Sequence, residues 1–415
     1  MNLGDTLSLP IIESRNSPPI AYEANAMTTS QTTALESLAE LADKPQELFD
    51  RVAQDLAAAE QWHQLFDLRL MQRRHELGLP LERNSTLEDV DESLRDDLEQ
   101  GYLAACREVG QLLLDKHQLR EAWMYLRPAS EKEMVRKYLE SVVPNEDNCD
   151  ALIEVSLHEG VDPERGYAWL IANHGTCNSI TTLDSLAGQL PEQQQESCAA
   201  VLLRHVYAEL QGNMRGHLHR LEGEAPEGIS IGELMQQFPA LTEGGSYHMD
   251  ASHLASTVRF ARLLTDPQLV KKAIEICEYG KHLIEDMQYP GEAPFEELYP
   301  THELFLRATL GERVDEAIEF FTRRAREEQA AEPALGVPTN TAVETLLVLL
   351  NRNERYAEAM ELYAELVPTD RALSPLSPTL LELATQSGDW QRYEALCSER
   401  NDIVGYAAGR ALQQG

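Results

Sequence analysis

The chain has 415 residues, with 70 Asp plus Glu against 35 Lys plus Arg, for a net charge of −35. So acidic a surface repels nucleic-acid phosphates and anionic lipid, which argues against nucleic-acid and membrane partners. Hydrophobic residues make up 43% and aromatics only 6%, a mix that favours helices over sheets, because unbranched side chains lose little rotamer freedom in a helix.

Residues 1–34 contain Pro10, Ser17-Pro18-Pro19 and a polar Thr/Ser run, with no sustained periodicity. They are expected to form a disordered tail. Met1 to Pro10 lacks the basic and apolar regions of a secretory signal. From Ala34 the pattern turns helical: Leu48, Val52, Leu56 and Ala59 make one apolar stripe, and a helix over 61–77 stops at Gly78. Ser85 to Glu88 has capping-box spacing, and Ser130 to Glu133 repeats it. Asp162-Pro163, Asp266-Pro267 and Ser377-Pro378 each place a capping side chain before a proline at the first helical position. Glu108-Val109 recurs as Glu154-Val155, and Ala122-Trp123 as Ala168-Trp169, at one common offset. Each copy reads as a helix, a short break and a second helix. The matching Ala should permit close helix approach, and the matching Trp should fill the core.

Gly311 to Phe321 reads GERVDEAIEFF, Asn353 to Tyr363 reads NERYAEAMELY before Pro368, and Gly388 to Ala395 is a weaker copy. These segments resemble the second helix of a tetratricopeptide repeat. The resemblance covers roughly 298–400 and extends to 98–175. It implies an all-α fold in which antiparallel helix pairs stack into a right-handed superhelix (a solenoid) with a concave binding face. Ala317 and Ala359 lie further apart than the roughly 34 residues usual in that family. The family's peptide-carboxylate clamp therefore transfers to no particular residue here. The resulting division is a tail (1–34), N-terminal helical repeats (35–220), an irregular middle with loops and helices (221–297) and C-terminal repeats (298–415).

The middle is rich in Gly and Pro and flanks the most suggestive histidines. In Ser246 to His253, His248, Asp250 and His253 could supply three ligands to a divalent metal ion, since imidazole and carboxylate are common donors. Alternatively, Asp250 simply caps a helix. His205 and Glu209, four apart on a helix, could join that set or form a solvated pair. Asn173, His174 and Asn178 surround Gly175 in an unusually polar break, a plausible recognition loop. There His174 could also pair with Cys177 as a nucleophile, or Gly175 could end a helix in the left-handed conformation. His302, in Tyr299 to Glu303, is a second candidate base beside His174. The six cysteines form no CxxC pair, against a disulfide framework or thiolate zinc site. The best apolar run, Thr345 to Leu350, is too short to span a bilayer. A cytoplasmic location is expected. No dinucleotide, P-loop, zinc-protease, α/β-hydrolase or EF-hand motif occurs.

Two functions follow. The first is a binding or scaffold protein gripping a peptide or protein partner. The second is a metal-dependent hydrolase or lyase with a His/Asp/Glu site enclosed by the helices.

Overall fold

A computed structural model describes residues 35, 37–81, 90–223, 225–330, 341–368 and 373–413. The expected tail and the Ser85–Glu88 box lie outside these. Among the described residues the structure is helical, with no strand, and no helix is long and apolar enough to cross a membrane. Two compact units divide at Lys132 and Glu133, inside the segment that the sequence reads as one N-terminal block.

The first unit contains α1 (Pro45–Ala58), α2 (Trp62–Glu76), α3 (Glu92–Asp115) and α4 (Leu119–Leu126), each packed on the next. Gly78, at φ 67°, follows α2 as expected. Ala122 is fully buried and Trp123 nearly so. Two close approaches lie on α3: a Cβ on Gly101 would lie 2.3 Å from Arg73 Cγ, and one on Gly110 2.5 Å from the Leu126 side chain.

In the second unit, α5 (Lys132–Ser141) follows a turn in which Ser130 adopts φ 55°. Next come α6 (Cys149–Ile153), a π-helical turn (Glu154–His158) and α7 (Pro163–Leu186), capped by Asp162. This matches the helix, break and helix expected from the internal repeat. Its details differ: Ala168 is exposed and Trp169 only half-buried. The close contact belongs to Gly166, where a Cβ would lie 2.4 Å from Ser156 Oγ and 2.7 Å from the Leu157 amide.

The 31-residue α8 (Glu192–Glu222) packs on α7, α9 (Ile231–Gln237), α10 (Ala251–Ala261) and α11 (Pro267–Gly280). Asp266 caps α11 by accepting from the amides of Gln268 and Leu269. The middle, 221–297, thus holds both helices and loops, the loops lying around α9 and after α11. Tyr207 ties this region together. Its hydroxyl donates to Glu275 Oε2 at 2.5 Å and accepts from the Ile231 amide at 3.1 Å.

Six helices follow: α12 (Leu298–Thr309), α13 (Val314–Ala330), α14 (Thr341–Arg352), α15 (Tyr356–Leu366), α16 (Leu380–Ser387) and α17 (Trp390–Glu399). A last helix, α18 (Ile403–Leu412), closes the described chain. From α12 onward each packs on the next, and several on the next but one. The repeat-like segments form α13, α15 and α17, and Ala317, Phe321, Ala359 and Tyr393 from them are buried.

The Ser377-Pro378 start lies two residues early. Thr379 caps α16, its Oγ1 accepting from the Glu382 amide at 3.2 Å while Glu382 accepts from the Thr379 amide at 2.8 Å. A reciprocal box satisfies two amides where a lone serine would satisfy one. Thr379→Ala should therefore cost ~1 kcal/mol, read as a lower melting temperature. A Thr379→Ala melt indistinguishable from wild type would show that the box contributes nothing.

Candidate functional site

The polar break of the sequence is a kink. Gly175 has φ 77° and ψ 170°, so its φ is positive as a helix-ending glycine requires, but its extended ψ is not left-handed helical. This backbone region is open essentially to glycine alone. It lets α7 bend and continue instead of ending. Asn173 and Asn178 donate their side-chain amides back to the Trp169 and His174 carbonyls, at 2.8 and 3.0 Å.

Below the kink lies an open groove of about 490 Å³, lined by His174, Asn178, Thr181 and Thr182 on α7 and by Asp150, Glu154 and His158 opposite. Two rows at helical spacing face each other here: Asp150, Glu154 and His158 on one wall, His174, Asn178 and Thr182 on the other. Sequence reasoning picks out only His174 and Asn178 of these; the four-residue spacing of Asp150, Glu154 and His158 is the signal it missed. The juxtaposition of the two rows has no such signal, because it depends on how α6 and the π-helical turn fold back onto α7. His174 Nε2 lies 3.9 Å from Asp150 Oδ1, an exposed pair of the sort worth well under about 1 kcal/mol. Cys177 is an exposed free thiol and makes no hydrogen bond with His174 among the described residues, so no nucleophile pair is assembled.

Beside the kink, Thr176 Oγ1 and His205 Nε2 are 2.9 Å apart, and the same nitrogen is 3.3 Å from Glu209 Oε2. The structure thus gathers Asn173, His174, Asn178, His205 and Glu209 around one bend in α7.

His248, Asp250 and His253 do not join them. Asp250 is the N-cap of α10 and accepts from the Ser252 hydroxyl and amide at 2.6 and 2.7 Å. Those two bonds hold its carboxyl below the usual range. His248 instead bridges His217, at 2.9 Å from Nε2, and the Tyr279 hydroxyl, at 3.0 Å from Nδ1. The Tyr279 oxygen also accepts from the His248 amide at 2.9 Å. Two proton orders fit: Tyr279 donates to His248 Nδ1 and His248 Nε2–H donates to His217 Nδ1, or His217 Nδ1–H donates to His248 Nε2 and His248 Nδ1–H donates to the Tyr279 oxygen. Burial, reinforced by His217 and Arg220, lowers the His248 pKa to about 4, which keeps it neutral. His217 and Tyr279 had no sequence signal, since each lies 31 residues from His248.

Among the described residues no three His, Cys, Asp or Glu side chains are grouped to hold a metal ion. The three-ligand expectation for His248, Asp250 and His253 fails on local grounds: the Asp250 carboxylate is used by the helix start and the His248 ring by Tyr279.

His302 is corrected as well. It lies inside α12 at 1% exposure, donating from Nδ1 to the Leu298 carbonyl at 2.6 Å. It stacks on Phe295 with centroids 4.2 Å apart, and its Nε2 is buried without a partner. Sealed in the core, it cannot reach a substrate as a general base must. No protein-family model, curated protein or solved structure matches the chain.

Proposed function

We propose that the chain is a helical-repeat binding protein that takes a basic segment of a peptide or protein partner across the groove beside Gly175. In this reading its helix pairs stack into a right-handed, tetratricopeptide-like superhelix. Packing from α12 onward, each helix on its sequence neighbours, supports that, because solenoid repeats contact chiefly their neighbours. The carrying observation is the groove itself: two facing polar rows on a kinked helix and a π-helical turn, with carboxylates at Asp150 and Glu154 and no Lys or Arg in the lining. π-Helical turns of this kind occur frequently at functional sites. The enzyme alternative would need the imidazoles and carboxylates to converge, whereas His205, His248, Asp250 and His302 each hold separate local partners.

An array of nonapeptides carrying Lys/Arg, Asp/Glu or apolar residues tests the reading. The protein should be retained on the Lys/Arg members. The double variant Asp150→Asn/His174→Ala should bind them roughly tenfold more weakly, equivalent to ~1.4 kcal/mol, with an unchanged melting temperature. Non-specific attraction to the net charge would survive in that variant. Equal binding by variant and wild type, or no preference among the peptides, would overturn the proposal.

A further inference from the structure

A second cavity, apart from the groove, lies between α8, α10, α12 and α14. It measures about 260 Å³ and has Arg259, Arg262 and Arg352 in its wall with Glu192 and Glu344, three cations to two carboxylates, over an apolar floor that includes Phe260, Leu263 and Phe305. Glu344 is engaged by the Ser374 amide at 2.8 Å. The chain has twice as many acidic as basic residues, and most interior arginines are claimed by carboxylates. Arg307 shows the usual pattern, held by Glu303 and Glu278 at 2.7 Å each. Arg259 follows it through Asp184 at 3.3 Å.

Arg262 and Arg352 do not. Arg262 donates Nε to the Arg259 carbonyl at 3.0 Å and lays its guanidinium 4.7 Å from the Phe295 centroid. Arg352 donates to the Leu264 and Leu263 carbonyls at 3.3 and 3.4 Å. Among the described residues no carboxylate lies within ion-pair distance of either, although Glu196 and Glu192 act on Arg352, and Glu292 on Arg262, from further away. Both residues are half-buried as a whole, yet burial of the charged ends lowers Arg262 to about 10 and shifts Arg352 downward too. In the same wall, Ser377 is 5% exposed and its Oγ is buried with no hydrogen-bond partner. Two desolvated cations and an unsatisfied hydroxyl cost stability unless something answers them.

We propose that this cavity binds a small organic anion, a carboxylate or phosphate carried on an apolar body. The terminal nitrogens of Arg262 would grip the anionic oxygens, Arg352 and Ser377 would add donors, and the apolar part would rest on Phe260 and Phe305. A planar guanidinium fork matches such oxyanions in two parallel hydrogen bonds. The volume admits a molecule of metabolite size and excludes a folded partner. This proposal does not depend on the peptide groove.

Calorimetry and thermal shift on the full chain at low ionic strength test it, with phenylacetate, phenyl phosphate, inorganic phosphate and benzyl alcohol as probes. At least one of the two organic anions should bind and raise the melting temperature, and the neutral alcohol should not. The organic anion that binds more tightly identifies the headgroup. Inorganic phosphate should bind at least tenfold more weakly than the better organic anion, because it makes no use of the floor. Arg262→Gln and Arg352→Gln should each weaken binding at least tenfold. Because either arginine variant could fold poorly, Ser377→Ala is the second arm: it should weaken binding several-fold while leaving the melt unchanged or higher. Absence of heat and of thermal shift with both organic anions at millimolar concentration would overturn the site. So would wild-type affinity in folded Arg262→Gln and Ser377→Ala proteins.

Discussion

Gly166→Ala should cost the protein about 3 kcal/mol, while the same substitution at Gly212 should stabilise it by up to about 1 kcal/mol. Both glycines lie inside long helices, so intrinsic propensity favours alanine at each. The surroundings decide the sign. A Cβ on Gly166 would meet Ser156 Oγ at 2.4 Å, the Leu157 amide nitrogen at 2.7 Å and Leu157 Cβ at 2.9 Å. One of those atoms is backbone of the π-helical turn and cannot rotate away, so α7 must move off the turn and open its packing. At Gly212 nothing lies within 4 Å of the new methyl. Chemical denaturation followed by circular dichroism reads both effects. Equal shifts for the two variants would show that α7 does not rest on the turn as described.

Acidification from about pH 7 to about pH 5 should remove on the order of 2 kcal/mol of stability through His302 alone. Burial, with Arg262 adding to it, lowers the His302 pKa from 6.5 to about 3. The unfolded chain therefore binds a proton below about pH 6.5 that the folded chain refuses until about pH 3. With more protons bound in the unfolded state, stability is complete above the unfolded value and falls as pH drops through the window between the two. His248, lowered to about 4, acts with the same sign. Glu303 stays out of this window. Burial pushes its carboxyl up, but Lys281 and Arg307 outweigh it and the net shift is downward from 4.5, so its contribution is lost only at lower pH. Urea midpoints across the range should fall steeply for wild type and less steeply for His302→Phe. The variant keeps the stacking on Phe295 and retains only the His248 part of the slope. Parallel slopes would mean that His302 titrates normally in the folded state.

What could be read in advance depended on how local the cause is. Asp162 and Asp266 were legible as helix starts because a cap involves a side chain and amides two or three residues away. Ser377 was misplaced because a better box, Thr379 with Glu382, sits two residues on. Of the polar rows of the groove, only His174 and Asn178 were read from the sequence, as part of one polar break; Asp150, Glu154 and His158 were passed over. Which row faced which depends on the π-helical turn and the Gly175 bend, and neither has a periodic signature. The arginine cavity was invisible: Arg262 and Arg352 look like any solvated arginine until the fold buries them with no carboxylate within ion-pair distance. His302 misled for the opposite reason, since a histidine near a helix start looks accessible until Phe295 covers it.

The length of α8 carries a mechanical consequence. At about 1.5 Å per residue it is a rod of about 46 Å, with Gln195 in the wall of the arginine cavity near one end and His217 near the other. A continuous hydrogen-bonded helix transmits a tilt along its axis with little loss, so it behaves as a lever between those two places. Its compliant stretch is Gly212 to Gly216, where two residues without side chains adjoin the His217 contact and each loosens the backbone. Gly212→Ala thus alters stiffness as well as stability: it lengthens the unyielding part of the lever towards His217, where hydrogen exchange at the amides of the last two turns should slow.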